Sequence, residues 1–73
     1  MSYVDDTALE LAQKAMAESR ASGDEKIVDQ IGEILGASSQ SLQESYLTFV
    51  RVLRAEARAR KLLADAAAKR ETE

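Results

Sequence analysis

The 73-residue chain carries 13 acidic and 10 basic side chains, a net charge of −3, and has no cysteine, histidine or proline. Those absences exclude disulfides and thiolate metal sites, and they remove the usual general base near neutral pH together with the commonest transition-metal ligand. A chain this short sits near the lower limit for folding on one core, so burial against a partner chain is a serious option from the outset.

Ala, Leu, Glu, Lys, Arg and Gln dominate and glycine occurs only three times, so the expected fold class is all-α, a single helical domain over residues 1–73. No apolar run approaches the roughly 20 residues that cross a bilayer. The opening MSYVDD places acids where a secretory signal carries bases. A cytoplasmic protein without a transmembrane segment is expected.

Helix 1 is expected over about residues 6–20, with Val4, Ala8, Leu9, Leu11, Ala12, Ala15 and Met16 on one face and Glu10, Lys14 and Glu18 on the other. Asp5, Asp6 and Thr7 are candidate N-caps, and Thr7 with Glu10 has capping-box spacing. Gly23 should stop this helix, and Ser22 with Glu25 gives a second capping box opening the next.

Helix 2, about residues 24–35, lines up Ile27, Val28, Ile31, Ile34 and Leu35. Gly32 inside it costs roughly 1 kcal/mol against alanine, which points to a close-approaching neighbour. Gly36 has the position of a left-handed C-cap. Ser38, Ser39 or Ser41 can then cap helix 3, with Ser41 and Glu44 at capping-box spacing.

Helix 3 can run from about 39 to about 69 without a breaker, some 45 Å at 1.5 Å per residue, so two short helices should fold back on one long one. It carries two apolar seams. Leu42, Tyr46, Phe49, Val50, Leu53 and Ala57 form the first, which helices 1 and 2 should cover. The expected core is Leu9, Leu11, Ala12, Met16, Ile27, Val28, Ile31, Ile34, Leu35, Leu42, Tyr46, Phe49, Val50 and Leu53. The second seam, Val52, Ala55, Ala59, Leu62 and Ala66 with Leu63 beside it, advances in the alternating threes and fours of a coiled coil. Helices 1 and 2 are too short to cover both seams, so the second is assigned to self-association as a homodimer.

Charge is polarised along the chain. Residues 1–46 hold nine acids and three bases, a balance of −6, and residues 47–73 four acids and seven bases, a balance of +3. Arg51, Arg54, Arg58 and Lys61 share one flank of helix 3. This stripe suits an acidic partner or phosphate. Its other reading is a solvated flank facing the acids of helices 1 and 2 or of a partner subunit.

The segment from Val28 to Tyr46 resembles the helix-turn-helix pattern. Ile31 and Leu35 match the apolar positions of its first helix, Gly32 the small residue, Gly36 the turn glycine and Leu42 the buried position of its second helix. The resemblance implies that Ser39, Gln40, Gln43 and Glu44 would face base edges in the major groove. Against DNA stands the local charge: no Lys or Arg lies between Lys26 and Arg51, while Asp24, Glu25, Asp29, Glu33 and Glu44 crowd the same segment. Catalysis is not expected, because Asp5, Asp6, Asp24 and Glu25 all stand at helix starts where capping accounts for them. No cofactor or metal is expected either. The leading expectation is a small non-enzymatic interaction or regulatory module that self-associates through its long C-terminal helix, with nucleic-acid binding the alternative.

Overall fold

The structure is a computed structural model that describes residues 2–72. Three helices account for nearly all of it: α1 (Tyr3–Ser22), α2 (Lys26–Ser38) and α3 (Gln40–Thr72). None is long and apolar enough to cross a membrane.

Helix α1 starts earlier than the spacing of Thr7 and Glu10 suggested. Its N-cap is Ser2, whose Oγ accepts from the Asp5 N–H at 3.2 Å. Asp5 and Asp6 therefore lie in the first turn, where they favour the positive end of the helix dipole. Gly23 ends α1 as expected, at φ 76°, with its N–H donating to the Ser19 carbonyl at 2.8 Å.

The second capping box does not form, since Ser22 is still helical. Its hydroxyl donates to the Glu18 carbonyl at 2.8 Å and accepts from the Asp24 N–H at 3.2 Å. Asp24 takes over the capping, its Oδ1 accepting from the Lys26 N–H at 2.9 Å.

The α2–α3 corner departs most from expectation. Gly36 is not a left-handed cap: α2 continues through it to Ser38, and Gly23 is the one glycine with positive φ. A single extended residue, Ser39 (φ −153°, ψ 101°), makes the whole corner. Its N–H closes α2 on the Leu35 carbonyl at 2.7 Å. Its carbonyl and Oγ open α3 by accepting from the N–H groups of Gln43 at 3.0 Å and Leu42 at 3.2 Å. Ser41 is already inside α3, so the expected Ser41–Glu44 box is absent.

Helix α1 lies beside α3 and runs in the same direction. Near their starts the Ser45 hydroxyl donates to Asp5 Oδ1 at 2.9 Å, and further on Met16 and Arg20 share a groove with Leu53, Ala57 and Arg60. Helix α2 returns between these two passes, its Val28 and Gly32 meeting Tyr46 and Gln43 of α3. The buried core is small: Ala8, Ala12 and Ala15 from α1, Val28 from α2, and Tyr46 and Val50 from α3.

Alanines let α1 approach α3 closely, because interaxial distance follows the side chains at the contact. Ala8 and Ala15 thus join the core although larger neighbours seemed better candidates. Of the expected core residues, Ala12, Val28, Tyr46 and Val50 are buried and most of the others half-buried. Ile34 is the exception at 69% exposed. The face of α2 that meets α3 runs through Val28, Gly32 and Gly36, and Ile34 lies about 120° from Val28 at 100° per residue.

The molecule is elongated. Its extents are 53 × 28 × 13 Å, and its radius of gyration of 15.1 Å compares with about 11 Å for a compact domain of this length. The 33 residues of α3, about 50 Å at 1.5 Å per residue, set the long dimension.

Candidate functional site

Helix α3 uses its two seams differently. The first provides Tyr46 and Val50 to the core, with Leu42, Phe49 and Leu53 packed around them. The second lies on the roughly opposite side of the helix, where neither α1 nor α2 reaches. Val52, Ala55, Ala59, Leu62, Leu63 and Ala66 are all exposed, with Leu62 and Leu63 each at 70%. From Arg54 onward every described residue of α3 is exposed apart from the half-buried Ala67.

The chain presents 5552 Å² of surface, where a compact monomer of 8.0 kDa is expected to expose about 4,450 Å². The excess of about 1,100 Å² is comparable with the roughly 800 Å² that each partner contributes to a standard protein interface.

Arg51, Arg54, Arg58 and Lys61 flank this seam, and all four are exposed. Among the described residues the ion pairs are Arg60–Glu56 at 2.8 Å and Lys61–Asp65 at 2.9 Å, both exposed pairs one turn apart within α3. Pairs of this kind contribute only a few tenths of a kcal/mol. Arg51, Arg54 and Arg58 meet no carboxylate of α1 or α2 within 4.0 Å. Among the described residues the acids of those helices form no ion pair either, so the charge polarity of the sequence persists in the folded chain.

An open groove of about 450 Å³ lies between the C-terminal half of α1 and α3. Met16, Leu53 and Ala57 give it an apolar floor, and Gln13, Arg20, Glu56 and Arg60 form its rim. No cluster of three or more carboxylates able to hold a metal ion occurs among the described residues.

Of the residues that the helix-turn-helix resemblance would aim at DNA, Ser39 and Gln43 are taken up in the fold, while Gln40 and Glu44 are exposed. Ser39 is the corner itself. Gln43 is half-buried, its Nε2 donating to the Gly32 carbonyl at 2.9 Å, while Gln40 is exposed with its amide 3.4 Å from Glu44 Oε1. Gly36, matched to the turn glycine, lies within α2, and a Cβ there would overlap the Gln43 amide.

Sequence reading missed this use of Gln43. A signal was present, since two glycines four residues apart on one helix face open a path for a long polar side chain from the next helix. Gly32 matches its expectation: the Tyr46 ring lies over it, with Cε2 3.5 Å from where a Cβ would stand.

No protein-family model, curated protein or solved structure matches the chain. What the fold defines is a class: an all-helical protein of three helices, two shorter ones packed against a long C-terminal helix.

Proposed function

We propose that this protein is a small non-enzymatic interaction or regulatory module that self-associates through the C-terminal part of α3. The observation carrying this reading is the apolar row Val52, Leu62 and Leu63, exposed at 54%, 70% and 70% and joined by Ala55, Ala59 and Ala66 along one side of a projecting helix. Covering a Leu side chain contributes on the order of 1.5–3 kcal/mol. Two such side chains per protomer, with valine and three alanines, supply the driving force for a short helix–helix interface. Arg51, Arg54 and Arg58, which pair with no carboxylate among the described residues, lie beside the seam and suit an acidic surface on whatever protein the module engages.

The direct test is Leu62→Glu. It places a charge in the seam while touching none of the buried residues. We expect loss of the dimer mass in sedimentation velocity with an unchanged thermal unfolding transition of the monomer. An association constant unaltered by this substitution removes the seam from the interface.

A further inference from the structure

We infer that the seam takes the same seam of a second copy, with the two α3 helices parallel and in register. This rests on the self-association proposed above and specifies its geometry. In heptad terms Val52, Ala59 and Ala66 occupy the a positions, and Ala55, Leu62 and Lys69 the d positions. Val52 at a and Leu62 at d are the one β-branched residue and the one leucine in the places that favour parallel two-stranded coils, with alanines at Ala55, Ala59 and Ala66 between and beyond them.

Charge on the two flanks agrees. In a parallel pair each g residue faces the e residue five positions later on the other chain. Here that rule sets Arg51 opposite Glu56 and Asp65 opposite Arg70, each pairing occurring twice by symmetry. The remaining g–e couple sets Arg58 beside Leu63, whose exposed side chain the arginine stem covers.

Antiparallel pairing fits less well. The register that sets Ala59 against Ala55 pairs Arg51 with Asp65 but brings Glu56 onto its own copy and Arg58 onto its own copy. The next register pairs Arg58 with Asp65 but places Lys69 against Val52 inside the seam. The parallel arrangement opposes unlike charges on both flanks with no like-charge flank pair, and its one like pair, Lys69 with its own copy, falls at the end of the apolar row.

Space permits it, because α1 and α2 pack on the other side of α3, over Tyr46 and Val50. All four charged partners, Arg51, Glu56, Asp65 and Arg70, are exposed. Glu56 and Asp65 already accept from Arg60 and Lys61. A carboxylate has capacity for a second donor, so the cross-chain pairs extend these contacts into short networks.

Cross-linking of the full-length chain tests the geometry. A parallel in-register pair brings the two introduced thiols of Ala66→Cys within the 4.4–6.8 Å Cα spacing of a disulfide. Either antiparallel register separates them by more than about 15 Å at 1.5 Å per residue. Under a glutathione redox buffer we expect disulfide-linked dimer as the main product for Ala66→Cys and little for Ala68→Cys, which lies on another face of the helix.

A second arm reads charge. Glu56→Arg should weaken association roughly tenfold, and adding Arg51→Glu should restore it. A dimer under reducing conditions that cross-links no better through Ala66→Cys than through Ala68→Cys, or charge swaps that fail to compensate, overturns the parallel register while leaving self-association standing. A monomer under reducing conditions overturns the self-association reading itself.

Discussion

The Tyr46 hydroxyl donates to the Val28 carbonyl at 2.7 Å, and this bond ties the middle of the molecule together. Tyr46 is fully buried and Val28 nearly so. Gln43 repeats the contact one turn earlier on α3, at the Gly32 carbonyl one turn later on α2. Two side chains of α3 thus hold two successive turns of α2 on the same face, which fixes the register of the α2–α3 pair by polar contacts as well as by packing.

Tyr46→Phe keeps the ring and removes the bond, so it should cost about 1 kcal/mol. Burial raises the Tyr46 phenol above its ordinary range, the Asp29 carboxylate raises it further, and Arg54 opposes the shift. On raising the pH the unfolded chain loses this proton first, so the native state binds more protons and stability falls as pH climbs above about 10. Below that pH the contribution is fully present. Urea midpoints between pH 8 and pH 11 should decline more steeply in the wild type than in Tyr46→Phe.

The two glycines of α2 should respond differently. At Gly32 a methyl group meets Tyr46 and Leu47 at 3.5 and 3.6 Å, ordinary contact distances, so Gly32→Ala should stabilise by up to about 1 kcal/mol through helix propensity. At Gly36 the methyl displaces the Gln43 amide, whose Cδ would lie at 2.6 Å. Losing that hydrogen bond, about 1 kcal/mol, cancels the propensity gain. In a Gln43→Ala background Gly36→Ala should become stabilising, and a double-mutant cycle on urea midpoints measures the difference.

Alanines on the two sides of α3 should behave differently when enlarged. Ala12→Leu forces three extra carbons into a fully buried α1–α3 contact and should destabilise by about 1–3 kcal/mol. Ala59→Leu, in the exposed seam, should leave monomer stability within about 0.5 kcal/mol and tighten association. Thermal unfolding together with concentration-dependent mass separates the two effects.

Exposure of Ile34 gives a further check. Ile34→Ser should shift stability by no more than about 0.5 kcal/mol, whereas Ile31→Ala, trimming a side chain packed against the core, should cost on the order of 2 kcal/mol. Equal effects at the two positions would mean that α2 is rotated away from the orientation that buries Val28 and exposes Ile34.

Helix number, the Gly23 stop and the division of α3 into a covered and an exposed face were legible from apolar spacing, because 3.6-residue periodicity survives any tertiary context. Capping was less legible. Ser39 was among the candidates and caps α3, whereas Ser2 and Asp24, which accept from the Asp5 and Lys26 N–H groups, stood outside the candidates Asp5, Asp6, Thr7 and the Ser22–Glu25 box. Small residues misled in two ways. Gly36 looked like a terminator because its real role, making way for Gln43, depends on a residue in the next helix. Ala8 and Ala15 looked secondary to Leu9 and Leu11, yet close approach of two helices selects the smallest side chains at the contact. The exposed row on α3 could be read from sequence because its step pattern is internal to one helix.

Sedimentation equilibrium of the wild-type chain from low micromolar to near-millimolar concentration tests self-association most directly. The mass should rise from 8.0 kDa towards about twice that value as concentration increases, following a single monomer–dimer equilibrium. A mass that stays at 8.0 kDa across the whole range would contradict the account.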